Sequence, residues 1–235
     1  MFFKTAAFVF AALAFLGDFV FKNLPGLRGK KMTCKMMCSG SFVLTGICAA
    51  LATGFEPYGA FMVGGLLLGA VGDFFLDYKE RQYFNTGTLF FGMGHILYII
   101  SFLFHSGADI LVKPYLGQAG LILAGIAVMS VVVVLLNKIS FRGKNKPVAV
   151  YSLVLIVSFL AAFTRGMVAL TQGDTAYGIC LVVASSLFLV SDTCIAIHVL
   201  GKAPLEFFRR MTGALINPTY FPAQALFALS ILFVG

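Results

Sequence analysis

The chain of 235 residues is 60% hydrophobic and only 11% charged, with a mean hydropathy of +0.98. A water-soluble domain of this length could not bury so much apolar surface, so we expect lipid to solvate most of the chain. The net charge of +8 is spread over short segments between apolar runs, which is typical of membrane topology and excludes a nucleic-acid footprint. The composition predicts one all-α, polytopic integral membrane domain over residues 1–235, with no nucleic-acid partner.

Runs of about 17–25 apolar residues predict eight membrane-spanning helices. In chain order they cover residues 5–24, 32–53, 58–77, 84–104, 115–136, 147–164, 176–198 and 213–234. The connections between them carry turn-forming and charged residues, such as Pro25 and Gly26 after the first span. Pro218 and Pro222 fall inside the eighth span, and a broken helix is tolerated in a membrane where it lines a cavity.

The basic residues predict the orientation of these spans. Most of the 17 Lys and Arg residues lie in or beside the connections after the first, third, fifth and seventh spans, the exceptions being Lys4, Lys113 and Arg165. The positive-inside rule places those connections in the cytoplasm and both termini on the non-cytoplasmic side. The first span resembles a signal peptide, but its cleavage would leave the basic segment 22–35 outside, so we expect the span to be retained.

Two acidic residues lie inside apolar segments of membrane length. Asp73 follows Gly72 near the end of the third span, and Asp192 follows Ser191 near the end of the seventh. A carboxylate at such depth is costly, so it usually faces a protein interior or a wet cavity and serves a function. In the predicted orientation both residues approach the cytoplasmic end of the bundle. We therefore expect the chemistry of the protein at this pair.

Further polar residues share helical faces with one another. His95 and Tyr98 are three residues apart on the fourth span, while Asn217, Tyr220 and Gln224 follow one face of the eighth. All five could join the acidic pair in one polar pocket open to the inner leaflet. For His95, a hydrogen bond between helices with no chemical role is an equal alternative.

A pair of carboxyl groups can divide the work of acid–base catalysis. One group held protonated near neutral pH acts as a general acid, while a partner that stays ionised acts as a base. Asp77 lies one turn from Asp73 but at the water boundary, where it could instead pair with Lys79 or Arg81. The alternatives for the deeper pair are a buried polar contact that fixes helix packing, or part of an ion path.

Other common chemistries have no support in the sequence. The five cysteines lie in or beside apolar runs, where we expect small apolar residues and not a disulfide framework or a metal site. The chain contains no Gly-x-Ser-x-Gly elbow, P-loop, His-Glu-x-x-His motif or dinucleotide fingerprint. We expect neither a metal nor another cofactor.

The stretch from Gly65 to Phe102, with Gly72-Asp73, His95 and Tyr98, resembles the YhhN-like family of integral membrane lysoplasmalogenases. So do the stretches 189–192 and 219–224, as well as the length and the eight-span layout. The resemblance implies hydrolysis of the vinyl ether bond of lysoplasmalogens, which releases a fatty aldehyde and a glycerophospho-ethanolamine or -choline. It also implies that Asp73 and Asp192 are the catalytic pair.

The chemistry implied by this resemblance starts with protonation of the vinyl ether β-carbon, followed by attack of water on the oxocarbenium ion. We expect Asp73, in the more apolar surroundings, to be the acid and Asp192 to stabilise the cation and activate water. The substrate is then a lysophospholipid, whose phosphate could meet Lys35, Arg81, Arg209 or Arg210. The expected supporting or substrate-binding residues are Lys35, Asp77, His95, Tyr98, Ser191, Asn217, Tyr220 and Gln224.

The chain departs from many family members in having Lys35-Met36 where they have a Lys-Pro step, and in carrying Asp18. We expect Asp18 to be solvated at the membrane interface. A bacterial inner (cell) membrane and the endoplasmic reticulum membrane both agree with the sequence.

Three other functions use similar residues. A transporter or proton-coupled carrier would bind a cation or relay protons through the same aspartates. A lipid-binding or signalling protein would bind the lipid without cleaving it. An intramembrane aspartyl protease also pairs two aspartates, but the segment before Asp73 lacks its tight Gly-x-Gly-Asp spacing.

Overall fold

The computed structural model describes residues 1–27, 29–78, 81–106, 146–195 and 206–234, and its regular structure in these ranges is entirely helical. Its helices are α1 (Phe2–Asn23), α2 (Lys31–Ala52), α3 (Pro57–Leu76), α4 (Arg81–Ser106), α5 (Lys146–Thr171), α6 (Thr175–Ile195) and α7 (Glu206–Ser230). A short 3₁₀ turn, Ile231–Phe233, follows α7. The predicted all-α class is confirmed for the described part of the chain.

Within the described ranges, 6 helices are long and apolar enough to cross a membrane, so the chain is an integral membrane protein. The spans are Phe2–Phe21, Lys31–Ala52, Pro57–Leu76, Val150–Thr171, Thr175–Ile195 and Arg210–Phe233. The predicted fourth span corresponds to α4, which is not among these six. The predicted fifth span, 115–136, lies outside the described residues. The count of eight spans and the orientation of the termini therefore stay predictions.

The helices pack in chain order and the last one returns to the first. Each of α1 to α6 contacts the next of the described helices, and α7 contacts α1, α2 and α3 in addition to α6. From Tyr220 to Ile231 every residue except Leu226 is buried. A helix buried on all sides lies in the protein interior, so α7 brings its polar residues to the centre of the bundle.

The two prolines of α7 do not end the helix. The sequence predicted a broken helix here, but the α-helix continues through Pro218 and Pro222. Each proline lacks a backbone N–H, so the helix loses the hydrogen bonds that these two groups would donate. The residues after Pro218 stay in helical register, and Tyr220 and Gln224 keep a common face.

Glycines allow α3 and α4 to approach each other closely. A Cβ atom added at Gly65 would lie 2.9 Å from the carbonyl oxygen of Gly94, and one added at Gly94 would lie 3.0 Å from that of Gly65. Gly72 and Gly87 are in similar contact where the C-terminal part of α3 packs against the N-terminal part of α4. Small residues at such crossings let helix backbones pack in contact. The contact fixes Asp73 on α3 relative to His95 and Tyr98 on α4.

We predict that Gly65→Ala lowers the free energy of unfolding by about 1–3 kcal/mol, because the new methyl group would overlap the Gly94 carbonyl and the Tyr98 ring. The matched control is Gly40→Ala on α2, where an added Cβ meets nothing within 4 Å. Chemical or thermal unfolding of both variants in detergent measures the difference. Equal stability of the two variants would contradict the close α3–α4 contact.

Candidate active site

Asp73 lies at the centre of a buried polar cluster formed by three helices. Its side chain is 2% exposed, and its Oδ2 accepts hydrogen bonds from Ser39 Oγ at 2.6 Å and Tyr220 OH at 2.8 Å. Lys35 Nζ lies 3.5 Å from Asp73 Oδ1 and donates to the Asp73 backbone oxygen at 2.9 Å. Lys35 and Ser39 are four residues apart on α2, so one helix face supplies both donors. The cluster surrounds the carboxyl group with a cation and two hydroxyl groups.

A chain of hydrogen bonds continues from Asp73 into the bundle. Gln224 Nε2 donates to Tyr220 OH at 3.1 Å, and Gln224 Oε1 accepts from Tyr98 OH at 2.7 Å. The Tyr220 hydroxyl therefore accepts one hydrogen bond and donates another to Asp73. This chain joins α4 and α7 to the carboxyl group, and it fixes the direction of each hydroxyl proton.

Asp192 lies near the end of α6 and is partly buried. Its Oδ2 accepts a hydrogen bond from the Tyr151 hydroxyl on α5. Phe188, one turn before Asp192 on α6, has its ring centroid 5.6 Å from that of Tyr220, which donates to Asp73. Aromatic side chains thus connect the surroundings of the two aspartates, which lie on different helices.

His95 contacts a neighbour of each aspartate. Its ring is 3% exposed and its Nδ1 lies 3.0 Å from Ser158 Oγ on α5. The centroid of the His95 ring lies 5.6 Å from that of Tyr98, 6.0 Å from that of Tyr151 and 4.6 Å from that of Phe188. Tyr98 belongs to the hydrogen-bond chain of Asp73 and Tyr151 binds Asp192, so the imidazole contacts residues of both carboxyl sites.

Two of the expected supporting residues, Ser191 and Asn217, have other partners, and a third, Asp77, lies at the surface. Asp77 is exposed at the C-terminal end of α3. Ser191 is fully buried, but its Oγ donates to the Ile216 backbone oxygen at 3.3 Å. Asn217 Nδ2 donates to Asp18 Oδ1 of α1 at 2.8 Å. Asp18 is partly buried, so it is not the fully solvated residue that the sequence predicted.

Four basic residues were expected to bind the lipid phosphate. The ammonium group of Lys35 points to Asp73, so its positive charge lies against that carboxyl group. Arg210 is exposed near the beginning of α7. The side chains of Arg81 and Arg209 lie outside the described part of the structure. No group of three or more metal-ligating side chains occurs among the described residues.

Sequence reasoning missed three residues of the site: Ser39, Tyr151 and Ser158. A signal exists for the last two, because they are seven residues apart and therefore lie on the same side of a mostly apolar helix. Ser39 lies one turn after Lys35, itself a charged residue at the beginning of a membrane span. None of the three could be tied to a particular aspartate without the helix packing.

The helices and the two aspartates define a polytopic membrane protein with acidic side chains inside its helix bundle. Residues 31–231 match the model of the YhhN family, and the chain belongs to that family. The matched range includes the whole of α2 to α7, with all of the site residues on them, whereas α1 precedes it. No solved structure matches the chain with statistical significance.

We predict that Lys35→Met destabilises the protein mainly through Asp73. The variant leaves the buried carboxyl group without its cation, whereas Lys35→Met in an Asp73→Asn background removes no ion pair. Unfolding of the single and double variants in detergent should give a coupling energy of about 1–3 kcal/mol.

Lys31→Met is the matched control for this cycle, because Lys31 is exposed on the same helix. It should show no coupling to Asp73. A coupling energy near zero for Lys35 would mean that the ammonium group does not stabilise the carboxylate.

Proposed function

We propose that this protein is an intramembrane hydrolase that cleaves the vinyl ether bond of lysoplasmalogens. The products are a fatty aldehyde and a glycerophospho-ethanolamine or -choline. The observation that carries the proposal is the link between the two aspartates inside the bundle: the His95 ring lies beside Tyr98 of the Asp73 hydrogen-bond chain and beside Tyr151, which donates to Asp192. Membership of the YhhN family and the sequence resemblance described above support it.

Vinyl ether hydrolysis requires the groups that this site contains. An acid delivers a proton to the β-carbon, and the electron pair of the double bond forms the new C–H bond. The resulting oxocarbenium ion is stabilised by a nearby carboxylate and is attacked at the α-carbon by water, which loses a proton to a base. The hemiacetal then collapses to the aldehyde and the alcohol. Two carboxyl groups, one protonated and one ionised, supply both the acid and the base.

The contacts favour Asp192 as the acid, the reverse of the assignment expected from the sequence. The Lys35 ammonium and the hydroxyls of Ser39 and Tyr220 all stabilise negative charge on Asp73. Two neighbouring carboxyl groups do not readily ionise together, so we assign the single proton to Asp192. Asp73 then stabilises the oxocarbenium ion and accepts the proton of the attacking water.

Tyr151 has a positioning role in this proposal. Its hydroxyl donates to Asp192 Oδ2, which leaves Oδ1 to carry the proton that is transferred. The phenol thereby fixes the plane of the carboxyl group relative to the substrate. The Gln224–Tyr220 pair does the same for Asp73 from the opposite side of the cluster.

We predict that purified protein releases aldehyde from a lysoplasmenyl-ethanolamine but leaves the ester-linked analogue intact. Asp73→Asn and Asp192→Asn should each lower the rate by about 10²-fold or more, because each removes one half of the acid–base pair. Asp77→Asn is the matched control, since Asp77 is exposed on the same helix as Asp73. Mass spectrometry of both products measures the reaction, and size-exclusion elution confirms that each variant is folded.

Full activity in either core variant would contradict the two-carboxylate mechanism. Intact substrate with folded wild-type protein would contradict the hydrolase. In that case the transporter alternative is tested in proteoliposomes, where a carrier moves its substrate across the bilayer without changing its mass.

A further inference from the structure

One nitrogen of His95 has no partner in the described part of the structure. Nδ1 lies within hydrogen-bond distance of Ser158 Oγ, but Nε2 is buried without any hydrogen bond. A buried polar atom left without a partner costs about 1–3 kcal/mol, so proteins normally supply one from protein, water or ligand. The unsatisfied nitrogen therefore points to a small polar molecule beside the imidazole.

The position of the ring shows what that molecule could do. His95 contacts Tyr151, which binds Asp192, and Tyr98, which belongs to the hydrogen-bond chain of Asp73. The ring of Phe188 is nearly perpendicular to the imidazole, with centroids 4.6 Å apart, and its centroid lies 5.6 Å from that of Tyr220. A molecule at Nε2 would therefore lie beside a buried imidazole whose aromatic neighbours contact the partners of both carboxyl groups.

We propose that His95 is a further catalytic residue, whose Nε2 binds the water molecule that attacks the oxocarbenium ion. The inference rests on the proposed function and gives a binding site to the attacking water, which the two aspartates alone do not position. With the ring hydrogen on Nδ1 and donated to Ser158 Oγ, Nε2 accepts one O–H of the water. The other O–H donates to Asp73, which leaves an oxygen lone pair directed at the cation.

The step balances without any other reactant. Asp192 gives its proton to the β-carbon and becomes a carboxylate. The water oxygen forms a bond to the α-carbon, and its proton passes to Asp73. If water attack is slow, the cation instead loses a β-hydrogen to Asp192 and returns to the vinyl ether. This return path gives His95 a chemical signature that loss of folding or of substrate binding would not produce.

The alternative is that an Nε2–H group points at the face of Phe188 as a weak N–H···π contact, which two perpendicular rings allow. In that arrangement His95 is a packing residue. Its replacement would then change stability or the KM for substrate, but not the fate of the cation.

The test is hydrolysis of a lysoplasmenyl-ethanolamine in deuterium oxide, with deuterium measured at the β-carbon of the recovered substrate. Wild-type protein should release aldehyde and leave the remaining substrate undeuterated. His95→Phe keeps the aromatic packing and removes the water site, so aldehyde release should fall roughly 10²-fold while deuterium enters the recovered substrate. His95→Gln retains a side-chain acceptor and should recover part of the rate with less exchange.

Two results with folded His95→Phe protein would overturn the inference. A wild-type rate in His95→Phe, or a lower rate without deuterium exchange, would show that His95 does not hold the attacking water. If His95→Phe does not fold, His95→Gln and Ser158→Ala decide by the same exchange measurement, since both disturb the water site with little change in packing. A folded wild-type protein that leaves the vinyl ether intact would overturn the proposed function itself, and this inference with it.

Discussion

The burial of the Asp73 carboxyl group constrains the rest of the bundle. Water cannot solvate a carboxylate that is 2% exposed, so protein groups have to stabilise its charge. The donors come from α2 and α7, which must approach α3 to within hydrogen-bond distance. A small residue at the α3–α7 contact allows this approach: a Cβ atom added at Gly69 would lie 2.9 Å from Gln224 Nε2. The packing of the helices and the chemistry of the site therefore depend on the same contact.

The sequence identified the acidic pair because a charge inside an apolar run is conspicuous and has few structural explanations. It also identified Tyr220 and Gln224, since polar residues four apart on a mostly buried helix share a face. The hydroxyl residues Ser39 and Ser158 were missed for a physical reason. Serine in an apolar helix often bonds to its own backbone, as Ser41 Oγ does to Met37 O, and the sequence does not distinguish that case from a site residue.

Asn217 shows the limit of reading one helix at a time. It precedes Tyr220 by three residues and belongs to the same broad face of α7, which is why it was expected at the acidic pair. A helix turns by about 100° per residue, so three residues leave an offset of about 60°, enough to reach a different neighbour in a crowded bundle. The neighbour is α1, whose Asp18 accepts the amide hydrogen bond. Which helix borders each part of a face is a property of the packing, and the apolar pattern does not contain it.

The helix that completes the cluster is also the last of the described helices to leave the ribosome. While α3 is inserting, Lys35 and Ser39 of α2 have already been made, but Tyr220 and Gln224 have not. The newly made α2–α3 hairpin can therefore shield the acidic side chain with its own ammonium and hydroxyl groups during membrane insertion. The hydrogen bonds of Tyr220 and Gln224 can form only after α7 has been made. The polar cluster around Asp73 is therefore completed late in the synthesis of the chain.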